Sequence, residues 1–404
     1  MKSPSEPARR LAVVLSHPTQ YYSPWFRWLR SRTALDFRVF YLWDFGVTAQ
    51  RDPQFGARIQ WDVDLLSGYD CEFVPNASAR PGAERFFGFR NPALPARLGA
   101  WKPGSLLLFG YKWATHLRAA AWARRRGVPI LFRGDSHLLG RRSAPPHARL
   151  ALRALYSQFA AFLYAGAANR EYFEAFGVPR RKLFFAPHSV NAELFDRDNP
   201  GHCADAQRIR SELGVGPGTR IVLFAGKLVA AKQPVELLRA FLEARREDTA
   251  LVYVGEGAER DRLQALAAEH AGAPGAPPIR LLPFANQSQM PSRYLLADLF
   301  VLPSRGDNET WGLAVNEAMH MGIPCLVSNR VGCQRDLVTP GETGWVFDAD
   351  DPRALARTLS LALAELGSAQ RREQIGRAIR HRIAGYTYAK TTDGLLAALA
   401  ASPP

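Results

Sequence analysis

Cysteine is scarce in this chain, and the few that occur lie far apart. Its 404 residues hold four, Cys71, Cys203, Cys325 and Cys333, with no C-x-x-C pair among them. That speaks against a zinc site and a disulfide framework and for a reducing cytosol. No uncharged apolar run reaches the roughly eighteen residues that a membrane-crossing helix needs. The nearest candidate, residues 150–168, is interrupted by Arg153 and Gln158. The opening MKSPSEPARR leads straight into an apolar strand, without the apolar core or small-residue cleavage site of a secretory leader. The motifs G-x-S-x-G and H-E-x-x-H are missing, as is any Cys/His cluster, so hydrolase and zinc-enzyme chemistry lack support. Acidic residues are also short: 37 against 52 Lys and Arg, for a formal charge of +15.

The excess is uneven. Residues 1–205 carry 29 Lys/Arg against 16 Asp/Glu, and residues 206–404 carry 23 against 21. A basic first half facing a neutral second half is expected to meet something anionic. No nucleic-acid module is recognisable, so nucleic acid is not the expected partner. An anionic membrane surface suits the basic segments that also carry Trp, Leu and Phe; an Arg-rich solvated surface fits the same composition. The expected location is the cytoplasm, with peripheral attachment to the inner face of the membrane if the basic half meets lipid.

With 47% hydrophobic and 22% charged residues, the chain has the composition of a globular protein long enough for two cores. Short apolar runs at 11–16, 37–43, 71–75, 105–110, 129–134, 162–166 and 183–187 read as strands buried on both faces. Helical stretches at 113–126 and 147–165 lie among them. After a polar, Gly/Pro-rich linker at 195–218, with a short helix at 204–213, the alternation restarts. Strands at 220–225, 250–255, 279–283, 299–303 and 324–328 are interleaved with helices at 234–246, 258–270, 289–297 and 312–321. A turn and strand in GETGWVF, a helical region at 352–383 and a last helix at 389–400 follow. This order predicts an α/β chain of two doubly wound sheets.

In such sheets ligands sit at the carboxyl ends of strands. The first strand is followed by HPTQYYSPWF, which makes His17, Gln20, Tyr21 and Tyr22 candidates for an acceptor wall, although the aromatics equally begin a packed helix. FRGDSH places Asp135 and His137 at another strand end, where either could handle a proton or grip a hydroxyl, or Asp135 could cap a turn.

Three further stretches carry chemistry. In FAGKLVAAKQP, Gly226 ends a strand and Lys227 and Lys232 flank a tight loop before a helix, an arrangement suited to a diphosphate. It is not a P-loop, and alone it would read as two exposed lysines. VGEGAER, with Gly255, lacks the third glycine of a dinucleotide fingerprint, so close backbone approach to a nucleotide or a neighbouring strand is the plainer reading. In VLPSRGDNETWGLAVNEAMHMG, a buried strand leads through a polar loop into a helix that starts at Trp311, Gly312 and Leu313. Glu309 stands at its mouth and Glu317 about two turns inside. An anion cradle beside two hydroxyl acceptors is what a nucleotide-sugar needs. Asp62 and Asp64 form a D-x-D remote from these signals and are set aside as a metal motif.

These elements carry a family likeness. AGKLVAAKQP, VGEGAERDRL, FANQSQMPSRYLLADLFVLPS and ETWGLAVNEAMHMGIPCLVS, in that order, resemble the retaining glycosyltransferases of family 4 with their Glu-x7-Glu element. The resemblance covers about residues 220–348. It departs at Lys227, where the family usually has Arg, and at APHSVNAELF, where His188, Ser189 and Asn191 replace the residues of a Pro-Asn-Gly-Val-Asp element. Many members also carry a His after the strand that ends here in FRGDSH, a position open to either Asp135 or His137.

The resemblance implies a GT-B fold: two Rossmann-like domains facing across a cleft, with an acceptor domain at 1–197 and a donor domain at 198–384. A C-terminal helix, 385–404, would cross back to the first domain. It implies that Lys227 and Lys232 neutralise the donor diphosphate, Glu317 accepts from the ribose and Glu309 from the sugar. The loop 284–288, with Phe284, Asn286 and Gln287, would hold the base. The expected activity is metal-independent, retaining transfer of a hexose from a UDP- or GDP-sugar to a glycan or lipid-linked acceptor in cell-surface polysaccharide synthesis. No cofactor beyond that co-substrate and no metal ligand set is expected. A sugar-nucleotide epimerase would need an acid/base pair on the donor side, for which there is no candidate. A nucleotide-sugar-binding regulator would bind donor without transferring it.

Overall fold

A computed structural model describes residues 10–51, 58–140, 144–244, 248–271, 275–305 and 309–402. The opening MKSPSEPAR, the middle of the polar loop before Glu309, and residues 245–246 of the helix expected at 234–246 lie outside them.

The first half contributes β1 (Leu11–Leu15), β2 (Phe37–Tyr41), β3 (Gln50–Arg51), β4 (Arg58–Ile59), β5 (Cys71–Phe73), β6 (Ser105–Phe109), β7 (Ile130–Arg133), β8 (Ala161–Tyr164) and β9 (Leu183–Phe185). Seven of these form one sheet in the order β5-β2-β1-β6-β7-β8-β9, while β3 and β4 pair separately as a short antiparallel ladder. The second half contributes β10 (Arg220–Ala225), β11 (Thr249–Val254), β12 (Ile279–Leu282), β13 (Leu299–Leu302), β14 (Cys325–Ser328) and β15 (Gly344–Phe347). They make a second sheet in the order β12-β11-β10-β13-β14-β15. Every neighbouring pair in both large sheets is parallel. The reason is legible in the strands: all of β1, β6 and β10 is buried, so both faces must be covered by helices, which parallel crossovers supply. In each sheet the strand order reverses beside the first strand of its half, and ligands collect at such switch points.

The last helix, Tyr388–Ala400, returns to the first sheet. Its Leu395, Ala398 and Leu399 join the core around β1, and Trp25 donates its indole N–H to Thr392 Oγ1 at 3.0 Å. Backbone contact is close enough that a Cβ on Gly394 would lie 2.1 Å from the Phe185 carbonyl oxygen.

Several local expectations are corrected. The helix expected at 147–165 is Pro146–Ser157, ending before the strand that was also expected at 162–166 and that is β8, between β7 and β9. Composition alone does not separate an apolar helix end from a buried strand. The helix expected at 204–213 is Pro200–Glu212. Proline at the first helical position and the Asn199 side chain accepting from Gly201 and His202 N–H start it earlier. Nor is 195–218 a free linker, since Ala206, Ile209 and Val215 are buried in the second core. The helical region at 352–383 is two helices, Ala354–Glu365 and Ala369–Ile383, with Ser368 capping the second. Helices Leu94–Trp101 and Ala167–Ala175 had no expectation.

Candidate active site

A cleft of about 510 Å³ opens between the carboxyl ends of the two sheets. Its second-domain wall begins where β10 and β11 end. A Cβ on Gly255 would lie 2.0 Å from the Gly226 carbonyl oxygen, so only glycine lets these two loops touch. The plainer reading of VGEG, close approach of neighbouring backbone, fits this contact. Gly226, Lys227 and Gly255 line the cleft. Lys232 closes a 3-10 turn, Ala230–Lys232, and its Nζ forms an ion pair with Glu309 Oε2. The same oxygen accepts from Ser304 Oγ at 2.7 Å.

The helix Leu313–His320 starts from Gly312 at φ 95°, and no side chain caps it. Glycine is needed here twice over, because a Cβ would meet Val331 Cγ1 at 2.8 Å and the left-handed conformation disfavours other residues. Trp311, Gly312 and Leu313 line the cleft, so the positive end of this helix is directed at whatever occupies it. About one turn in, Glu317 is 4% exposed. It accepts hydrogen bonds from Tyr294 Oη at 2.7 Å, Gln287 Nε2 at 3.1 Å and Tyr21 Oη at 3.1 Å. Burial pushes its carboxyl pKa up, against the lowering effect of those three bonds. A carboxylate offers about four lone-pair sites, which leaves room for one more donor.

Tyr21 comes from the first domain. A candidate for the acceptor wall, it is bonded across the cleft to Glu317, and burial and the Glu317 charge both raise its pKa. A second bridge joins the domains at the loop expected to hold a base. Phe284 and Gln287 line the cleft, and Asn286 caps the short turn that follows. Asn286 Nδ2 donates to the Gln60 carbonyl at 2.7 Å, and Ser288 N–H donates to Asp62 Oδ1 at 3.1 Å. Ser288 Oγ also bonds Asp62 Oδ2, and the Trp61 and Phe284 ring centroids are 6.4 Å apart. Asp62, set aside as remote from the other signals, therefore braces a loop whose Phe284 and Gln287 line the cleft. Asp64 is not its metal-binding mate; it accepts from Leu66 and Ser67 N–H in a local turn.

Of the two candidates after β7, only Asp135 faces the cleft. It accepts from Thr310 Oγ1 at 2.8 Å, and His188 Nε2 lies 3.7 Å from it. His137 is 1% exposed. Its Nδ1 accepts from Leu139 N–H, and its Nε2 lies 3.1 Å from the Glu309 carbonyl. With Nδ1 accepting, Nε2 carries the proton and donates, so His137 braces the Glu309 backbone from behind. In the loop after β1, Gln20 and Tyr21 line the cleft but His17 and Tyr22 do not. His17 sits edge-on to Trp43 and Phe45, and burial lowers its pKa to about 4. Tyr22 packs on Phe109 beneath Arg133.

Sequence reasoning missed His188 as a site residue. It lies beyond β9, 5.4 Å ring to ring from Trp311, and its carbonyl accepts from Asn316 Nδ2 at 3.1 Å. Burial and the Arg133 charge, opposed by Asp135, lower its pKa to about 3, so the ring is neutral near pH 7. The signal was the departure of APHSVNAELF from the family pattern.

Residues 205–382 match the family of glycosyl transferases group 1. A D-inositol 3-phosphate glycosyltransferase of Geodermatophilus obscurus is 31% identical over 58% of this chain and 50% of its own length. A GDP-mannose-dependent alpha-(1-6)-phosphatidylinositol monomannoside mannosyltransferase of Mycolicibacterium smegmatis is 31% identical over 60% of this chain and 63% of its own. The matched stretch thus spans less than two thirds of either relative. The crystal structure of Anabaena HepE in complex with UDP and glucose superposes with a TM-score of 0.70 at 15% identity, covering 97% of this chain and 99% of that one. Two parallel sheets facing across a cleft and a C-terminal helix that crosses back give the chain the GT-B fold, and its second half, with the Glu-x7-Glu element at the cleft, is similar to the group 1 glycosyltransferases of family 4.

Proposed function

We propose that the cleft binds a UDP- or GDP-hexose and transfers the sugar, with retention and without a metal ion, to a hydroxyl of a glycan or lipid-linked acceptor in cell-surface glycan synthesis. The observation that carries this reading is the convergence of Lys227, Lys232, an uncapped helix N-terminus, Glu309 and Glu317 on one cleft. In the transfer, the bond from the anomeric carbon to the diphosphate oxygen breaks. The acceptor oxygen bonds to that carbon on the face just vacated, and its proton passes to an oxygen of the departing diphosphate. Charge grows on the diphosphate, and fixed ammonium and N–H groups stabilise it without reorganising. Lys232 would exchange Glu309 for a phosphate oxygen, which turns Glu309 to the sugar hydroxyls. Glu317 would use its remaining lone pair on the ribose. Asp135 would orient the acceptor hydroxyl, and the Tyr21 and Asp62 bridges would hold the cleft shut against water.

The donor base is bracketed by relatives: one is named for GDP-mannose and the other was crystallised with UDP. Thermal unfolding against UDP, GDP and their hexose derivatives, with and without magnesium, tests the reading. A nucleotide at about a hundred times its Kd should add ~2.7 kcal/mol. One nucleotide should stabilise the wild type regardless of metal and fail to do so in Lys232→Ala. A wild type that no nucleotide shifts refutes the donor site. An inverted anomeric centre in the product, read by NMR, refutes retention alone.

A further inference from the structure

A second hollow, of about 890 Å³, lies in the first domain at the carboxyl ends of β6 and β7. It opens to the surface, and its volume is at the upper end of small-molecule sites. One wall is the aromatic core of Phe132 and Phe173, and the helix Pro146–Ser157, anchored to that core through Tyr156, borders the hollow beside it. That helix turns Ala148, Ala151, Leu152 and Leu155 toward the hollow, and Tyr156 is its one buried residue. Leu152, Leu155 and Tyr156 also pack it against the core of the first sheet, which fixes one side of the hollow. Phe86 and Leu138 stand at the rim, 45% and 40% exposed. Two of its features are polar and decide its orientation. Asp135 lines both this hollow and the donor cleft. Lys112, exposed, lies along the same wall.

We infer that this hollow is an acceptor subsite for an alkyl or isoprenoid chain, whose attached hydroxyl is delivered to Asp135 and whose anionic linkage is met by Lys112. Asp135 borders both spaces, so a chain seated in the hollow would present its end group beside the cleft. The inference rests on the proposed transfer reading and names the chemistry of its acceptor.

The test uses the full chain and the fluorescent probe 11-(dansylamino)undecanoic acid, with octanoic, decanoic and dodecanoic acids as competitors. Wild type should bind one probe saturably, and competition should strengthen about fourfold per methylene if each is fully buried. Ala148→Phe and Ala151→Phe, which fill the hollow, should lower probe affinity at least tenfold while the nucleotide-induced thermal shift stays unchanged. Leu138→Ser, at the exposed rim, should weaken binding severalfold and guards against a filled variant that does not fold. No saturable binding, no dependence on chain length, or equal affinity in all the variants overturns the inference. If the probe behaves as expected but no nucleotide stabilises the protein, the transferase reading fails and the apolar site stands. If nucleotides stabilise and the probe does not bind, the subsite falls alone.

Discussion

Replacing Glu317 by glutamine separates two opposing forces on one buried group. Three donors converge on the carboxylate, at 2.7 to 3.1 Å. Bonds to a charged acceptor contribute about 1.5–3 kcal/mol each, against about 0.5–1.5 for neutral ones, so losing the charge should forfeit roughly 3 kcal/mol. Against that, an ion buried to this depth pays an effective desolvation penalty of several kcal/mol. The raised pKa says which wins: burial outweighs the three bonds. Glutamine can keep all three, with its carbonyl in place of Oε1 and the Tyr294 hydroxyl turned to accept from the amide. Glu317→Gln should therefore be neutral or slightly stabilising at pH 7. Glu317→Ala leaves three donors without an acceptor, at about 1–3 kcal/mol each where fully buried, and should lose roughly 3–5 kcal/mol. The sign with pH is also fixed. A carboxyl whose folded pKa exceeds its unfolded one binds its proton more tightly when folded. Its contribution is lost as pH rises from the ordinary carboxylate range through the raised value. The stability difference between wild type and Glu317→Gln should shift in favour of the variant across that window and be flat above it. Urea unfolding between pH 4 and 8 measures this. A glutamine variant less stable by more than about 2 kcal/mol at pH 7 would refute the claim that desolvation dominates.

Other variants test the remaining walls of the cleft. Lys232→Ala should lower kcat at saturating donor by about 10²–10³, the usual loss when a charge-stabilising donor is removed; a change below threefold in a steady-state assay would remove Lys232 from the chemistry. Asp62→Ala, which breaks the bridge to Ser288, should raise the donor KM about fivefold and leave kcat within twofold, the pattern of lost uniform binding. Equal falls in kcat and kcat/KM would instead place it in the transition state. Arg124, Arg125 and Arg126 end a first-domain helix in full exposure. Changing all three to glutamate should abolish cosedimentation with anionic vesicles, at about 1 kcal/mol per cation near the surface, while wild type that ignores such vesicles at low salt would rule out docking there.

The sheets were legible because their strands are apolar runs bounded by glycine, proline and polar residues, a signal carried within a few positions. The second-domain wall of the cleft was legible for a similar reason: Gly226 and Lys227 follow a strand, Lys232 precedes a helix, and Glu309 and Glu317 flank the start of another. What stayed hidden depends on apposition of the two halves. Ser288 and Asp62 are 226 positions apart, and Tyr21 and Glu317 are 296, and no periodicity spans such distances. Asp135 and His137 could not be told apart because an irregular loop has no repeat that fixes which side chain faces the cleft; Leu139 N–H and the Glu309 carbonyl settle it. The hidden contacts are also the consequential ones. One of the three bonds on the buried Glu317, and the brace on the loop at Asn286, come from the opposite domain. A donor that bonds Glu317 is thus linked to closure: separating the domains withdraws a hydrogen bond from a carboxylate already strained by burial. That bond favours the closed arrangement by about 1.5–3 kcal/mol before any donor binds. The sequence names the groups that would hold a nucleotide-sugar, but only the fold couples holding it to excluding water.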